Sequence, residues 1–398
     1  MLEKQTVTNI KKIQLNWTAI LVVSIAFACA AFGALLSLLI PNTTAVVDEA
    51  TTQAPTEPPQ YSLMENFDSI IGNALEDAHQ AATSVKKVFW IPEDTELAPL
   101  PNAQCYGETD DPSTLQWLLD DATELLDGQA AHFSTDIEIY PGSVVTYYLD
   151  ESIFVITWQQ LIDNFVYTFS EVKISHPSQF RRYLAHNEYD SGYLYTVSRM
   201  CSMSNAVMAA SADFYRGRNH GIIVYQGEVK RTDYSEMVDT CFIDDQGDLI
   251  LVPAGELIGV EAAQTFVDEH NIDFSIAFGP ILVQDGVRCE PQAYLLGEIN
   301  LTYPRAALCQ KDKLHYIVVI ANGKDGYWQR PTIHDFANRI DELDCLHAYA
   351  LDGGKTGTVA MRGKALNPVQ GTEREISDII LFATAIPSEE PPAEETQP

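Results

Sequence analysis

The hydrophobic pattern of the chain begins with a long uncharged stretch at residues 17–40. A helix over these residues would be roughly 36 Å long, enough to cross a hydrocarbon core of about 30 Å. Lysines precede the stretch and the first charges after it are acidic. This predicts a cytoplasmic N-terminus at 1–16, a single-pass anchor in the cell membrane and an extracytoplasmic remainder. A cleaved signal peptide is the alternative, although its apolar region would be shorter, about 7–15 residues.

A spacer and a helical segment come next. Residues 41–60 are rich in Thr and Pro and predict an extended linker, and residues 387–398 predict a disordered acidic tail of similar composition. Residues 61–130 predict a helical neck, because apolar side chains recur at helical spacing after Met64 and again after the helix-start signal Asp111-Pro112.

The pattern changes to strands from about residue 131. The runs SVVTYYL, SIFVITW and FVYTFSEVKI are β-branched and aromatic, as strands require. The apolar run 314–320, a helix opened by Pro331 and the short strand HAYAL predict a strand–helix–strand unit with a right-handed crossover. The fold class expected for 131–386 is therefore α+β or mixed α/β, with a mixed β-sheet core and flanking helices.

Composition and charge narrow the possible classes of protein. The chain has 398 residues, is 46% hydrophobic and has a formal net charge of −32. This excludes a disordered or fibrous protein, and the adverse field argues against nucleic acid as a partner. Nineteen of the 24 basic residues fall between Lys173 and Arg374, whereas residues 88–172 contain none. An anion site is therefore expected in the later part of the chain.

Common catalytic and metal-binding motifs are not found. Gly354-Lys355-Thr356 lacks the Gly that a P-loop needs five positions earlier, where Tyr349 stands, and there is no G-x-S-x-G, H-E-x-x-H or C-x-x-C. No metal and no cofactor are expected. Six cysteines follow the apolar stretch, and the sequence leaves open whether they are disulfides or thiols.

Three segments contain the side chains that could carry chemistry. The first, 210–226, includes Asp213, Arg218 and Asn219. The second is Tyr303-Pro304-Arg305, which precedes a buried strand. The third, 351–378, includes Asp352 directly after a strand, where open α/β sheets place ligands, and the later candidates Asn367 and Arg374.

The order of these motifs resembles the phosphodiester glycosidase family over roughly residues 140–386. Leu351–Thr356, Asn367-Pro368 and Glu373-Arg374 are similar to the family's ending, in which Leu-Asp-Gly-Gly is followed by Asn-x-Pro and Glu-Arg. The resemblance also covers Phe278-Gly279-Pro280, Pro304-Arg305-Ala306-Ala307 and the segment from Asp213 to Gly221, which is similar to bacterial exopolysaccharide-related members.

The resemblance implies a membrane-anchored, extracytoplasmic glycoside hydrolase that cleaves a sugar-1-phosphodiester in cell-envelope or exopolysaccharide glycoconjugates. Asp352 and Asp213 are the expected catalytic carboxylates, since carboxylates stabilise an oxocarbenium-like transition state. Arginine guanidinium groups, which can donate two parallel hydrogen bonds, and backbone N–H groups at glycine turns are suited to bind the phosphate. The expected substrate-binding residues are Arg218, Asn219, Arg305, Gly353, Gly354, Lys355, Thr356, Asn367 and Arg374.

Departures from the family pattern keep two alternatives open. Ser211-Ala212 stands where the family usually has Asn-Gly, and Lys355 stands where it has Gly. A degenerate member that binds glycan phosphate without turnover is therefore one alternative. The other is an interaction module in which the acidic segment 88–172 binds a cationic envelope partner.

Overall fold

Three antiparallel sheets organise the part of the chain that the structure, a computed structural model, describes. The described residues are 89–92, 95–126, 137, 139–290, 301–323, 331–369 and 371–387. The predicted anchor (17–40), the linker (41–60), the first neck helix after Met64 and the tail beyond 387 lie outside them. Within the described ranges, no helix has both the length and the apolar character needed to span a bilayer.

The described residues up to Val252 form two α-helices and ten strands. In chain order they are β1 (Tyr106–Thr109), α1 (Pro112–Leu125), β2 (Val145–Leu149), β3 (Ile153–Ile162), β4 (Phe165–Ile174), β5 (Phe180–Leu184), α2 (Val197–Met203), β6 (Met208–Ser211), β7 (Ile223–Tyr225), β8 (Glu228–Arg231), β9 (Thr240–Asp244) and β10 (Leu249–Val252), all within the described ranges.

The elements after Val252 complete the sheets. They are α3 (Val260–His270), β11 (Ile272–Ile276), β12 (Ile281–Gln284), β13 (Val287–Arg288), β14 (Arg305–Asp312), β15 (His315–Gly323), α4 (Ile333–Asp341), β16 (His347–Leu351), β17 (Val359–Met361), β18 (Lys364–Ala365) and β19 (Asp378–Phe382). The sheet orders are β1-β2-β3-β4-β15-β14-β16-β12-β13, β10-β9-β11-β7-β8 and β18-β17-β6-β19-β5.

The nine-stranded sheet is buried on both faces, which explains why its central strands are apolar runs. Alternate residues such as Val155 and Val172 face a core shared with the two smaller sheets. Their neighbours Phe154 and Phe169 face a second core under α1 and α4. The predicted strands at 143–149, 152–158 and 165–174 match β2, β3 and β4, so a β-sheet core with flanking helices is confirmed. The predicted mixed sheet differs from the structure, in which each of these strands pairs antiparallel with its neighbours.

The segment assigned to the helical neck does not stand apart from this sheet. The predicted helix after Asp111 is present, and its N-cap side chain accepts from the Ser113 N–H. However, β1 pairs with β2 from Tyr106↔Tyr148 to Thr109↔Val145, and α1 buries Leu115 and Leu118 in the core beneath the sheet. Sheet pairing and core packing therefore join residues 106–125 to the strands that follow residue 140.

The strand–helix–strand unit has one feature that the sequence did not predict. α4 begins after the capping box formed by Thr332 and Asp335. Strands β15 and β16 run in the same direction, yet β14 lies between them and pairs antiparallel with both. The two strands are therefore not neighbours. Asp352 follows β16 directly, as expected.

Candidate functional site

Asp352 lies where the first and third predicted segments meet. Its backbone N–H donates to the carbonyl of Ala212 at 2.9 Å. Its own carbonyl accepts from the hydroxyl of Ser211 at 3.0 Å. Ser211 is the last residue of β6, and Asp352 directly follows β16. These two hydrogen bonds therefore join the ends of the two strands.

The carboxyl group of Asp352 is buried without a full set of partners. Among the described residues, none donates a hydrogen bond to its Oδ2. Burial raises the pKa of Asp352 to about 7, and the nearby Asp213 charge adds to the rise. A hydrogen bond with Thr356 and the charges of Arg218 and Arg374 act in the opposite direction. A carboxyl group that titrates near neutrality is suited to proton transfer.

Two arginines beside Asp352 are held over aromatic rings. The guanidinium of Arg218 lies 4.3 Å from the ring centroid of Phe278. That of Arg374 lies 5.3 Å from the centroid of Phe214. A guanidinium over an aromatic face is attracted by the ring, which restricts a long side chain. Both arginines therefore hold positive charge near the Asp352 carboxyl group, where it acts on the pKa of Asp352.

The glycine turn after Asp352 brings the second predicted segment to the site. The N–H of Gly354 donates to the Pro304 carbonyl at 2.8 Å. A Cβ on Gly353 would lie 2.4 Å from that same oxygen, so only glycine fits this approach. Gly354 has φ +62°. Of the next two residues, Lys355 is exposed and Thr356 is buried.

Arg305 approaches this turn with its backbone. Its Cα would lie 3.2 Å from a Cβ on Gly353. One guanidinium nitrogen, Nη2, donates to the carbonyl of Leu301 at 2.5 Å. Arg218 and Arg374 act on the pKa of Asp352 and are therefore the better supported partners of a substrate phosphate.

Asp213, the other predicted catalytic carboxylate, is bonded on both oxygens. Oδ2 accepts from Nη2 of Arg182 at 2.9 Å and from the Ala277 N–H at 3.1 Å, while Oδ1 accepts from the Tyr215 N–H at 2.7 Å. Arg182 also bonds Asp378 at 2.7 Å. Burial works against the charge of Arg182, but the two aspartates raise its pKa overall. This arrangement identifies Asp213 as part of a buried ion network.

The two predicted asparagines lie in opposite surroundings. Asn367 is buried: its Oδ1 accepts from the Val359 N–H at 2.8 Å, and its Nδ2 donates to the Gly357 carbonyl at 2.9 Å. It therefore fixes the chain just beyond the glycine turn. Asn219 is exposed, beside Arg218.

Some residues of the site carry no signal in the sequence. Phe214 and Phe278 lie inside motifs quoted for the resemblance, yet a phenylalanine gives no indication of stacking on an arginine before the fold is known. Arg182 lies on β5, outside every predicted segment. No group of three His, Cys, Asp or Glu side chains arranged to hold a metal occurs in the described part of the chain.

A cavity of about 700 Å³ lies away from Asp352. Its lining includes Trp90, His176, Arg181 and Asp273, and none of the predicted site residues. Arg182 lines it too, and the same side chain bonds Asp213. The cavity therefore reaches the buried ion network at Arg182, and Asp352 is not part of its lining.

Comparisons with known proteins agree with the motifs. A curated relative, the SPbeta prophage-derived protein YomE of Bacillus subtilis, is 25% identical over 200 residues, or 47% of this chain. The chain covers only 29% of the length of that relative.

Among solved structures, the zebrafish N-acetylglucosamine-1-phosphodiester alpha-N-acetylglucosaminidase catalytic domain, auto-inhibited by its pro-peptide, is 13% identical. The match covers 65% of this chain and 92% of that chain, with a TM-score of 0.44. A hypothetical protein from Synechocystis is also 13% identical over 62% of this chain and 64% of its own, with a TM-score of 0.41. Residues 204–383 match the phosphodiester glycosidase family model, which confirms the family resemblance that the motifs indicated.

Proposed function

We propose that this protein hydrolyses the bond between the anomeric carbon of a sugar and a phosphodiester. The C1–O bond breaks, water supplies the new hydroxyl at C1, and the products are a free sugar and a phosphomonoester. The family match supports a hydrolase acting on phosphodiester glycans. The finer statement, that the substrate is an envelope or exopolysaccharide glycoconjugate, is part of the proposal.

The environment of Asp352 is the observation that carries this proposal. Its Oδ2 is buried without a hydrogen-bond donor among the described residues, and its pKa is raised to about 7 by burial. The stacked arginines Arg218 and Arg374 supply the positive charge that a phosphodiester requires. Because phosphate leaves readily as an anion, arginine donors can stabilise the departing group while Asp352 acts at the anomeric carbon or on its water.

Release of sugar by the full-length protein tests this proposal. The zebrafish enzyme is named for an N-acetylglucosamine-1-phosphodiester, so methyl N-acetylglucosamine-1-phosphate is the first substrate, within a panel of other sugar-1-phosphate methyl esters. We expect the wild type to release sugar and Arg374→Ala to lower kcat/KM by about 10- to 100-fold, as for a lost charge-assisted contact. Trp117→Ala is the control, because Trp117 is an exposed residue of α1. No release from any member of the panel would overturn the proposal.

Binding of glycan phosphate without turnover is the second candidate. Both oxygens of Asp213 are occupied by hydrogen bonds, so one carboxylate rather than two is available beside the arginines. Calorimetric titration with the same esters separates the two functions. Saturable binding with unchanged ester would favour binding alone, whereas heat from continuing hydrolysis would favour the glycosidase.

The proposal includes an extracytoplasmic location with residues 17–40 as the membrane anchor. The support is the uncharged stretch itself and the lysines before it. Protease added to intact cells should remove the domain and leave the N-terminus protected. Complete protection of the domain in intact cells, with digestion after lysis, would place it on the other side of the membrane.

A further inference from the structure

A row of aromatic side chains lies on the surface beside the segment that carries Arg374. The rings of His186 and Tyr193 meet edge to face with centroids 4.6 Å apart, and those of Tyr193 and Tyr195 stack at 6.2 Å. The guanidinium of Arg199 lies 4.3 Å from the Tyr195 centroid. These four side chains are called the aromatic ridge below. Tyr193 is 50% exposed, so the ridge offers ring surface to solvent.

The ridge is joined to the candidate site by backbone and side-chain hydrogen bonds. Tyr195 and Ile376 exchange backbone hydrogen bonds of 3.0 and 2.8 Å. Glu373 accepts from the N–H and the hydroxyl of Ser198, at 2.8 and 2.5 Å. Arg374 lies between these two attachments, and its charge acts on Asp352. The ridge therefore begins within a few residues of the place where the substrate phosphate is proposed to bind.

The loop that forms the ridge is held in shape by its own contacts. Tyr225 donates to the side chain of Asn187 at 2.8 Å, and the ring of Tyr189 stacks on Tyr215 at 5.4 Å. Four positions have left-handed backbone conformations, namely His186, Asn187, Asp190 and Gly192. A surface that is already ordered loses little conformational entropy when it binds a partner.

We propose that the aromatic ridge binds the carbohydrate chain of the aglycone, that is, the saccharide esterified to the far side of the substrate phosphate. This rests on the proposed function, since the released sugar must occupy the Asp352 side of the phosphate. Tyrosine combines an apolar ring with a polar hydroxyl, which matches the apolar faces and hydroxyl rims of pyranose rings. Arg199 and His186 place further polar groups along the same row.

The ridge lies outside the part of the chain that the family model matches. Residues 186–199 precede the range matched by the family model, 204–383. The family match therefore gives no information about the ridge, and the inference depends on the stacked rings and their attachment beside Arg374.

The first experiment compares a short and a long aglycone in full-length protein. The substrates are N-acetylglucosamine-1-phosphate esterified to methanol and to a linear hexasaccharide. Tyr193→Ala should raise KM for the hexasaccharide ester by about 3- to 10-fold, the value of one stacking contact, and leave kcat and the methyl ester unchanged. Tyr193→Phe keeps the ring and loses only the hydroxyl, so it should raise this KM less than Tyr193→Ala does. Equal effects of Tyr193→Ala on the two esters would overturn the inference.

The second experiment separates the ridge from the hydrolysis. Wild type, Tyr193→Ala and the exposed-residue control Trp117→Ala are titrated calorimetrically with maltohexaose, cellohexaose and chitohexaose. Saturable binding of one of these by wild type and Trp117→Ala, weakened about 3- to 10-fold in Tyr193→Ala, supports the ridge even if neither ester is cleaved. Absence of binding to all three, or binding unaffected by Tyr193→Ala, overturns it. Failure of the ester assay alone counts against the proposed function.

Discussion

Asp352 and Asp213 are two buried aspartates of one region, but their carboxyl groups differ in how completely they are hydrogen-bonded. Asp213 accepts three hydrogen bonds, one of them from the guanidinium of Arg182. Asp352 keeps an oxygen without a donor among the described residues. A buried charge with a complete set of partners contributes to the integrity of the fold, whereas an incompletely paired one persists at a cost to stability and is a candidate for function.

The same contrast holds for the arginines of the two surroundings. Arg182 is fully buried and bridges Asp213 and Asp378. Arg218 and Arg374 stack on phenylalanine rings beside Asp352. Arg182 is therefore committed to two carboxylates, whereas the charges of Arg218 and Arg374 lie near a carboxyl group that keeps one oxygen without a donor among the described residues.

The largest expected effect is the loss of sugar release in Asp352→Asn. Removing the carboxylate should lower kcat by about 10³-fold or more, the range of general acid–base catalysis. The fold should survive, because the amide removes a buried ionisable group instead of leaving one unpaired. Asp285→Asn is the matched control, since the Asp285 side chain is 82% exposed. Sugar release by Asp352→Asn at the rate of Asp285→Asn would remove Asp352 from the chemistry.

The positions of individual strands could be predicted because they depend on short-range patterns of residues. Strand β4 coincides with the run FVYTFSEVKI, and β3 extends the run SIFVITW at its far end, where Asp163 and Asn164 form a turn with positive φ. The position of Asp352 after a strand is predictable for the same reason. Motif order then indicates that Ser211-Ala212, Pro304 and the glycine turn belong together, as the hydrogen bonds show.

What could not be predicted depends on contacts between residues far apart in the chain. The insertion of β14 between β15 and β16 depends on which distant edges pair, and an apolar run carries no information on its neighbour. The role of Asp213 depends on Arg182, which comes from β5 and belongs to no motif. Asn367 suits a ligand and a backbone carbonyl equally well, so residue type alone could not assign it.

Breaking the buried ion network should cost stability rather than catalysis. Arg182→Met leaves Asp213 and Asp378 buried without their cation and should lower the free energy of unfolding by about 3–5 kcal/mol, measured by urea denaturation. Arg181→Met, a change on the same strand at a partly buried side chain that donates to the Thr95 carbonyl, should cost less.

A variant that fails to fold can still be interpreted. Adding Asp213→Asn and Asp378→Asn to Arg182→Met removes the uncompensated carboxylates and should recover folding. If Arg182→Met is as stable as Arg181→Met, or if the triple variant is no better than Arg182→Met alone, the network does not have the structural role assigned to it.

The raised pKa of Asp352 gives a pH-dependent difference between wild type and Asp352→Asn. The folded state holds this proton up to about pH 7, while the unfolded chain releases it near its ordinary value of 3.8. The contribution of Asp352 to stability is therefore fully present below about pH 4, declines as the pH rises to 7 and is constant above.

Urea denaturation of both proteins across this window measures the effect. Between about pH 4 and pH 7, the free energy of unfolding of the wild type should fall, relative to that of Asp352→Asn, by an amount on the order of 4 kcal/mol. This is an upper value, because relaxation of the site would reduce it. Other titrating groups are common to both proteins and cancel in the difference. A difference that does not change with pH would show that Asp352 titrates normally.

The smallest expected effect distinguishes the two asparagines that the sequence assigned to the substrate. Asn367→Ala leaves the Val359 N–H and the Gly357 carbonyl without their buried partner and should lower the free energy of unfolding by about 1–3 kcal/mol. Asn219→Ala, at an exposed position, should leave stability unchanged within about 0.5 kcal/mol. Urea denaturation of both variants makes the comparison. Burial and hydrogen bonding, not residue type, distinguish the two positions. An equal loss of stability in Asn219→Ala and Asn367→Ala would therefore contradict the structural role assigned to Asn367.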